Sequence, residues 1–173
     1  PEAQLDRFMF MVKVGYPTED EELDIVRRTT ARREVHVEPV IDAERLMEIQ
    51  RLVRDVPVAD HVIRYALRLV RATRVRESGD RPEVVERYLN WGAGPRASQY
   101  LVLAGKARAI LEGRSHVEVE DIQSVALPVL RHRLITNFNA EADNVTTDDI
   151  ISQIIEAVSP AGAEDREMEQ VLR

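Results

Sequence analysis

A mainly α-helical bundle, preceded by a short strand and one helix, is the fold class that three observations predict. Leu, Ile, Val, Ala, Glu and Arg dominate the 173 residues, while Gly is sparse at seven, a composition that favours helices. Apolar residues recur at spacings of three and four in successive stretches, the period of a buried helix face. Helix punctuation brackets those stretches: Thr18-x-x-Glu21, Asp42, Gly94-Pro95 and Thr146 at starts, Pro57 and Gly113 at stops,.

The length suits one domain or two small ones and is enough to bury a core,. Apolar content of 44% against 32% charged residues is an ordinary folded balance,. The formal charge of -7 argues against nucleic acid as a sequence-wide partner, despite local clusters of arginine,. Without cysteine there is no disulfide frame and no thiol chemistry, which suits a cytoplasmic protein,. No apolar run approaches the roughly 18 residues of a membrane span, and no signal peptide opens the chain, so no membrane partner is expected. The chain begins at Pro1 without an initiator Met, which gives it the look of a piece of a longer protein.

Residues 1–7 are polar and turn-like. The continuous run Phe8-Met9-Phe10-Met11-Val12, closed by Gly15-Tyr16-Pro17, predicts a strand buried on both faces,. One strand makes no sheet, so its partners are expected upstream, unless the segment is rearranged. Thr18 starts a helix running to about Arg33, with Leu23, Val26 and the stem of Arg27 inward and Arg27, Arg28, Arg32 and Arg33 on a solvated end,. His36 to Val40 is a linker. Asp42 opens a helix carrying Leu46, Ile49, Val53 and Val56, and Pro57 ends it.

Ala59 to about Arg76 is the next helix, with Val62, Ala66, Leu69 and Val70 inward. Arg64, Arg68, Arg71 and Arg74 form its solvated face,. Residues 78–82 are a loop, and Val84 to Leu89 a short helical turn. Pro95 to Glu112 is a long helix with Tyr100, Leu103, Ala104, Ala107, Ile110 and Leu111 on its apolar side, stopped by Gly113,. Glu118 to about Leu134 follows, kinked or divided by Pro128. Thr146 or Thr147 caps the last helix, Asp148 to Val158, with Ile150, Ile151, Ile154 and Ile155 inward. Beyond Ser159 the charged tail is expected to be mobile,.

Catalytic machinery is not visible in these residues. Gly105-Lys106-Ala107 lacks the preceding glycine of a phosphate loop and lies mid-helix. The four histidines share no ligand spacing with one another or with acids, so no metal is expected. There is no G-x-S-x-G elbow. One stretch does suggest chemistry, Gly92-Ala93-Gly94-Pro95-Arg96-Ala97-Ser98. Gly94 serves as N-cap, Pro95 takes the first helical position, and Arg96 falls in the first turn, where the positive end of the macrodipole disfavours a cation. Two partners would reverse that cost: a phosphate on the helix N-terminus or a carboxylate from a neighbouring helix.

The motifs taken together resemble the MoxR type of AAA+ ATPase. Pro1-Glu2-Ala3-Gln4-Leu5-Asp6-Arg7-Phe8 is similar to that family's approach to its last core strand, and Gly15-Tyr16-Pro17 to the end of that strand. Gly92 to Ala97 resembles its G-A-S-P-R-A second-sensor motif, with Gly94 in place of Ser. Ala107-Arg108-Ala109, Leu111, Gly113-Arg114 and Val117 match its continuation, and Asp121-Ile122 and His132-Arg133 its later D-V and H-R positions. Glu118-Val119 replaces the usual Thr-Pro, which is expected to weaken that cap.

The resemblance implies residues 1–36 as the end of the ATPase core, 37–158 as the helical lid with an inserted helix, and 159–173 as the tail. It implies Arg7 as the arginine finger offered to the adjacent subunit. Arg96, with Gly94 and Pro95, becomes the second sensor for the γ-phosphate. ATP with Mg2+ is then the ligand, bound mainly by a core upstream of this chain. The implied partners are further copies in a hexameric ring and a client protein, with a von Willebrand A-domain protein among the associates. The alternative is a helical interaction module that never handles nucleotide.

Overall fold

The computed structural model describes residues 2–32, 36–77 and 81–160. The expected mobile tail beyond residue 160, residues 78–80 of the 78–82 loop and the expected helix end at Arg33 lie outside them. The chain is mostly helical, as its composition and periodicity predict. In order it forms α1 (Glu2–Leu5), α2 (Glu19–Thr30), α3 (Ala43–Asp55), α4 (Asp60–Ala72) and α5 (Glu83–Tyr88). Then come β1 (Leu89–Trp91), α6 (Pro95–Leu111), α7 (Val119–Leu130), β2 (Ile135–Thr136), α8 (Phe138–Ala142) and α9 (Thr147–Ala157).

Helices α4, α6, α7 and α9 enclose the core. Val62, Ala66, Leu69 and Val70 are buried on α4 as their spacing predicts, and Tyr65 joins them. Ile150, Ile151 and Ile154 seal the core from α9. On α6 the inward face is rotated from the expected one. Ala97, Ser98, Leu101, Ala104, Gly105 and Ala109 are buried, whereas Leu111 is 86% exposed. Apolar residues surround this helix, so no stripe dominates, and small side chains decide which face approaches α7. A Cβ on Gly105 would lie 2.9 Å from Ile122 Cδ1 and 3.2 Å from Val117 Cγ1. That close approach explains a glycine in mid-helix, where it costs roughly 1 kcal/mol relative to alanine.

Helix α7 starts without a hydroxyl cap. Its cap comes instead from within the first turn, where Asp121 Oδ2 accepts from Glu118 N at 2.9 Å. The same carboxylate, fully buried, takes two bonds from Arg114 at 2.6 and 2.5 Å. These contacts, the Arg114 guanidinium first, hold the Asp121 carboxyl below the usual aspartate range,. Pro128 lies inside the helix, which closes two residues later at Leu130 rather than at Leu134. The chain turns and pairs β2 antiparallel with β1, Leu89 opposite Thr136 and Trp91 opposite Ile135. These strands, α8 and α1, which falls in the stretch 1–7 expected to be turn-like, have no counterpart in the expected elements, because two to five residues carry too little pattern,.

The N-terminal third departs most from expectation. In the run from Phe8 to Val14 the first two residues bend and the rest take no regular structure, and it pairs with no strand among the described residues. Phe8, Val12 and Val14 are exposed, and Met9 alone packs against the core. Helix α2 has the expected reciprocal box between Thr18 and Glu21, yet Leu23 and Val26 are about half exposed, at 47% and 50%. None of its residues is buried. Helix α3, N-capped by Asp42, buries Val56 just past its end and lies against α6, where Lys106 Nζ donates to Arg54 O at 2.7 Å.

Helix α4 stops at Ala72, short of Arg76. Thr73 folds its hydroxyl back to Val70 O at 2.6 Å and accepts from Ala93 N at 2.9 Å. Arg74, expected in solvent, turns inward to Ala93 O at 3.2 Å and Glu77 Oε1 at 2.5 Å. The two chain segments touch at Gly92, whose hypothetical Cβ would sit 2.0 Å from Thr73 O. Gly92→Ala should therefore lower stability by about 2 kcal/mol, an overpacking cost. Gly94 has open space and a φ of -82°, so Gly94→Ser should stay within about 0.5 kcal/mol of wild type. Urea unfolding of both variants checks the contrast, and equal midpoints would contradict it.

Candidate functional site

The N-terminus of α6 is built as its sequence predicts, with Gly94 as N-cap, Pro95 in the first turn and no acidic residue there. Arg96 stands in that turn, and its Nη1 donates to Asp6 Oδ2 at 2.5 Å. A carboxylate is thus its internal partner, supplied by the turn after α1. Tyr100 lies one helical turn further on the same face. Its hydroxyl donates to Arg7 O at 3.0 Å. The first two turns of α6 therefore grip residues 6 and 7.

The opposite side of this grip comes from the turn after α7. Arg133, 6% exposed, sends Nε to Asp6 Oδ1 at 3.0 Å and Nη2 to the carbonyls of Asp6 and Phe8 at 2.9 and 2.6 Å. Its Nη1 reaches Met9 O at 3.3 Å and also donates to Val129 O. The guanidinium lies 5.1 Å from the centroid of the Tyr100 ring, within cation–π range. Burial pushes the Arg133 pKa downward and the Asp6 bond opposes that; an arginine stays charged in either case. Arg131 donates to Met11 O at 3.1 Å and Asp148 Oδ1 at 3.0 Å, Lys13 reaches Asp148 at 2.6 Å, and Met11 N donates to Pro128 O at 2.9 Å. Residues 6–13 are in this way strapped across one side of the bundle.

His132 adds a titratable contact. Its Nε2 lies 3.0 Å from Phe8 O, and a carbonyl only accepts, so Nε2 carries the proton,. Nδ1 is buried without a partner among the described residues. A second proton there would be a desolvated donor, so burial drives the His132 pKa below its ordinary value, partly offset by the Phe8 bond,.

The structure places Arg7 and Arg96 on one edge, joined through Asp6 and Tyr100. The Arg7 side chain is exposed and makes no hydrogen bond or ion pair among the described residues. Asp6 pairs with Arg96 and Arg133 while the Arg7 side chain stands unpaired among the described residues, so three arginines are gathered around one aspartate and leave a cationic edge on an acidic chain,. A helix N-terminus whose cap residue, Gly94, offers no side-chain acceptor, beside free cationic charge, fits a phosphate group,. A metal is a different matter: among the described residues no cluster of three His, Cys, Asp or Glu could hold one, and Asp6 is committed to two arginines. No described helix is long and apolar enough to cross a membrane. Sequence reasoning missed Asp6 and Arg133 as site residues. The available signal was an arginine three residues past the apolar helix end Val129-Leu130 and directly before apolar Leu134, where a charge must find partners,.

The class follows from this fold together with a match of residues 81–154 to the AAA lid domain. The chain is 32% identical over 159 residues to Chaperone MoxR1 of Mycobacterium tuberculosis, covering 92% of this chain and 42% of that protein. It is 34% identical over 159 residues to the uncharacterized protein YeaC of Bacillus subtilis, covering 91% and 47%. A crystal structure of a candidate ATPase from Cytophaga hutchinsonii superposes with a TM-score of 0.78 at 33% identity, over 92% of this chain and 48% of that one. This chain belongs to the MoxR-type AAA+ family, and it spans less than half the length of these relatives.

His132 gives the strap a pH dependence whose sign follows from its lowered pKa. The fold prefers neutral imidazole, so this stabilisation is complete above the unfolded value of about 6.5. It is lost as pH falls through the depressed folded value. The urea midpoint of wild type should drop more between pH 7.5 and 5.5 than that of His132→Gln, whose amide can still donate to Phe8 O. Equal drops would remove His132 as the cause.

Proposed function

We propose that this chain carries the nucleotide-facing arginines of a MoxR-type AAA+ ATPase, with Arg7 as a finger for the adjacent subunit's ATP and Arg96 as the second sensor of its γ-phosphate. Gly94 and Pro95 shape the helix N-terminus that faces the phosphate. The observation that carries this reading is the shared edge: Asp6 and Tyr100 bring Arg7 and Arg96 together, and the Arg7 guanidinium projects with no internal partner among the described residues. On this reading residues 1–36 close the ATPase core and residues 37–158 form the lid.

The chemistry asked of the two arginines is electrostatic. Charge spreads over the transferred phosphoryl oxygens in the transition state, and fixed cations at those oxygens lower the barrier without reorganising. Neither arginine moves a proton. ATP arrives with Mg2+, which neutralises phosphate charge and is held by groups outside the described residues. A finger in trans requires an oligomer, for which we propose a hexameric, cytoplasmic ring. Its work would be chaperone-like remodelling of a client protein, with a von Willebrand A-domain protein as an associate, a reading supported by the relative named Chaperone MoxR1.

Arg7→Ala in the complete ATPase should leave ATP affinity within about twofold and lower turnover by about 10³-fold. Arg7→Lys should fail likewise, since an ammonium lacks the planar two-point contact. Mixing Arg7→Ala subunits with subunits dead in the phosphate loop should restore activity at some interfaces. A mixture that assembles but stays inactive would show that Arg7 does not act in trans. The 173-residue chain alone, which contains no G-x-x-x-x-G-K-[ST], should not hydrolyse ATP; turnover by the purified chain would contradict the division of labour. The exposed apolar residues of α2 favour a second reading as a binding module only, for which Arg7→Ala would leave turnover of the complete protein unchanged.

A further inference from the structure

We propose that Asp6 is the positioning residue that aims Arg96, with buried Arg133 as its anchor; the inference rests on the reading of Arg96 as a nucleotide-facing arginine. The Arg133 side chain is 1% exposed, and its three nitrogens serve the Asp6 carboxylate and the carbonyls of Asp6, Phe8, Met9 and Val129. A guanidinium presents its donors in one rigid plane. Its Nε bond to Oδ1 and its Nη2 bond to the Asp6 carbonyl therefore fix both the side chain and the backbone of Asp6. Oδ2 is then left facing Arg96 at 2.5 Å.

Arg96 needs such a partner. Its side chain is 45% exposed, and a long exposed arginine spreads over many rotamers unless something selects one. Pairing it with Asp6 contributes little stability, as exposed ion pairs do, and Asp6 needs only Oδ1 to satisfy Arg133. What the second oxygen adds is direction. Arg7 is set by the same device from the other side, because Asp6 is its neighbour in the chain and Tyr100, one turn from Arg96, holds its carbonyl at 3.0 Å. Two short contacts to one helix face thus fix the Arg96 guanidinium relative to the backbone of Arg7. A single buried guanidinium stands behind both.

Asp6→Asn tests this selectively. The amide oxygen can still accept from Arg133 Nε, while the amide nitrogen is a donor and cannot receive Arg96. On the 173-residue chain, the Arg96 guanidinium resonances should collapse to the averaged position of free arginines by 15N NMR, with those of Arg133 retained. In the complete ATPase, kcat should fall about tenfold or more with KM for ATP within about twofold, since small misplacements at a reacting centre are costly. In an Arg96→Ala background the same change should add nothing. A normal kcat for Asp6→Asn alongside a crippled Arg96→Ala would overturn the positioning role alone. So would losses that multiply in full in the double variant, or a lowered urea midpoint with kcat intact. A normal kcat for Arg96→Ala would instead remove the reading on which the inference rests.

Discussion

One buried guanidinium holds residues 6–9, the segment that carries the candidate site, to the helical bundle. Arg133 sits in the turn after α7 with almost no access to water, a position that is destabilising unless its donors are satisfied. It is satisfied by one carboxylate and four carbonyls. Three of those carbonyls belong to consecutive or near-consecutive residues, Asp6, Phe8 and Met9. The chain turns and bends there, and its carbonyls point at an arginine rather than at a neighbouring strand. An apolar run that reads as a strand becomes a strap.

A second buried ion pair does comparable work at the far end of the same helix. Asp121, at the start of α7, is closed off from solvent and held by Arg114 from the turn after α6. Helix α7 is thereby fixed at both ends by charge, to α6 through Arg114 and to the N-terminal segment through Arg133. Between those ends the contact with α6 is made by small residues, Ala104 and Gly105 among them. Breaking either pair by removing one partner would leave a charge stranded in a dry site, which is far more costly than the pair is stabilising.

These constraints converge on the N-terminus of α6. Arg96 occupies an unfavourable place for a cation, and Asp6 offsets that locally. The net result is a cationic edge on a chain of formal charge -7, confined to a small area instead of spread over the surface. The fold itself supports this economy: the same helix supplies the capped N-terminus, the arginine, and the tyrosine that anchors the neighbouring loop. The AAA lid match and the structural likeness over nine-tenths of the chain place this arrangement on a scaffold that its relatives share.

The sequence by itself determined the longer helices, because caps, stops and apolar spacing are local properties. Thr18, Asp42, Gly94-Pro95, Gly113 and Thr146 mark boundaries that the structure keeps. It also determined the family through motifs spread along the chain, and it singled out Arg7 and Arg96. Tertiary structure decided which face of α6 turns inward, because an all-round apolar helix has no preferred side until its neighbours select the small residues. It decided that Phe8 to Val14 is a strap, since pattern cannot distinguish carbonyls bound by another strand from carbonyls bound by arginine side chains. And it decided that Asp6 and Arg133, 127 residues apart, share a bond: electrostatic pairing between distant residues leaves no periodicity behind, and only the packed chain brings the charges into range.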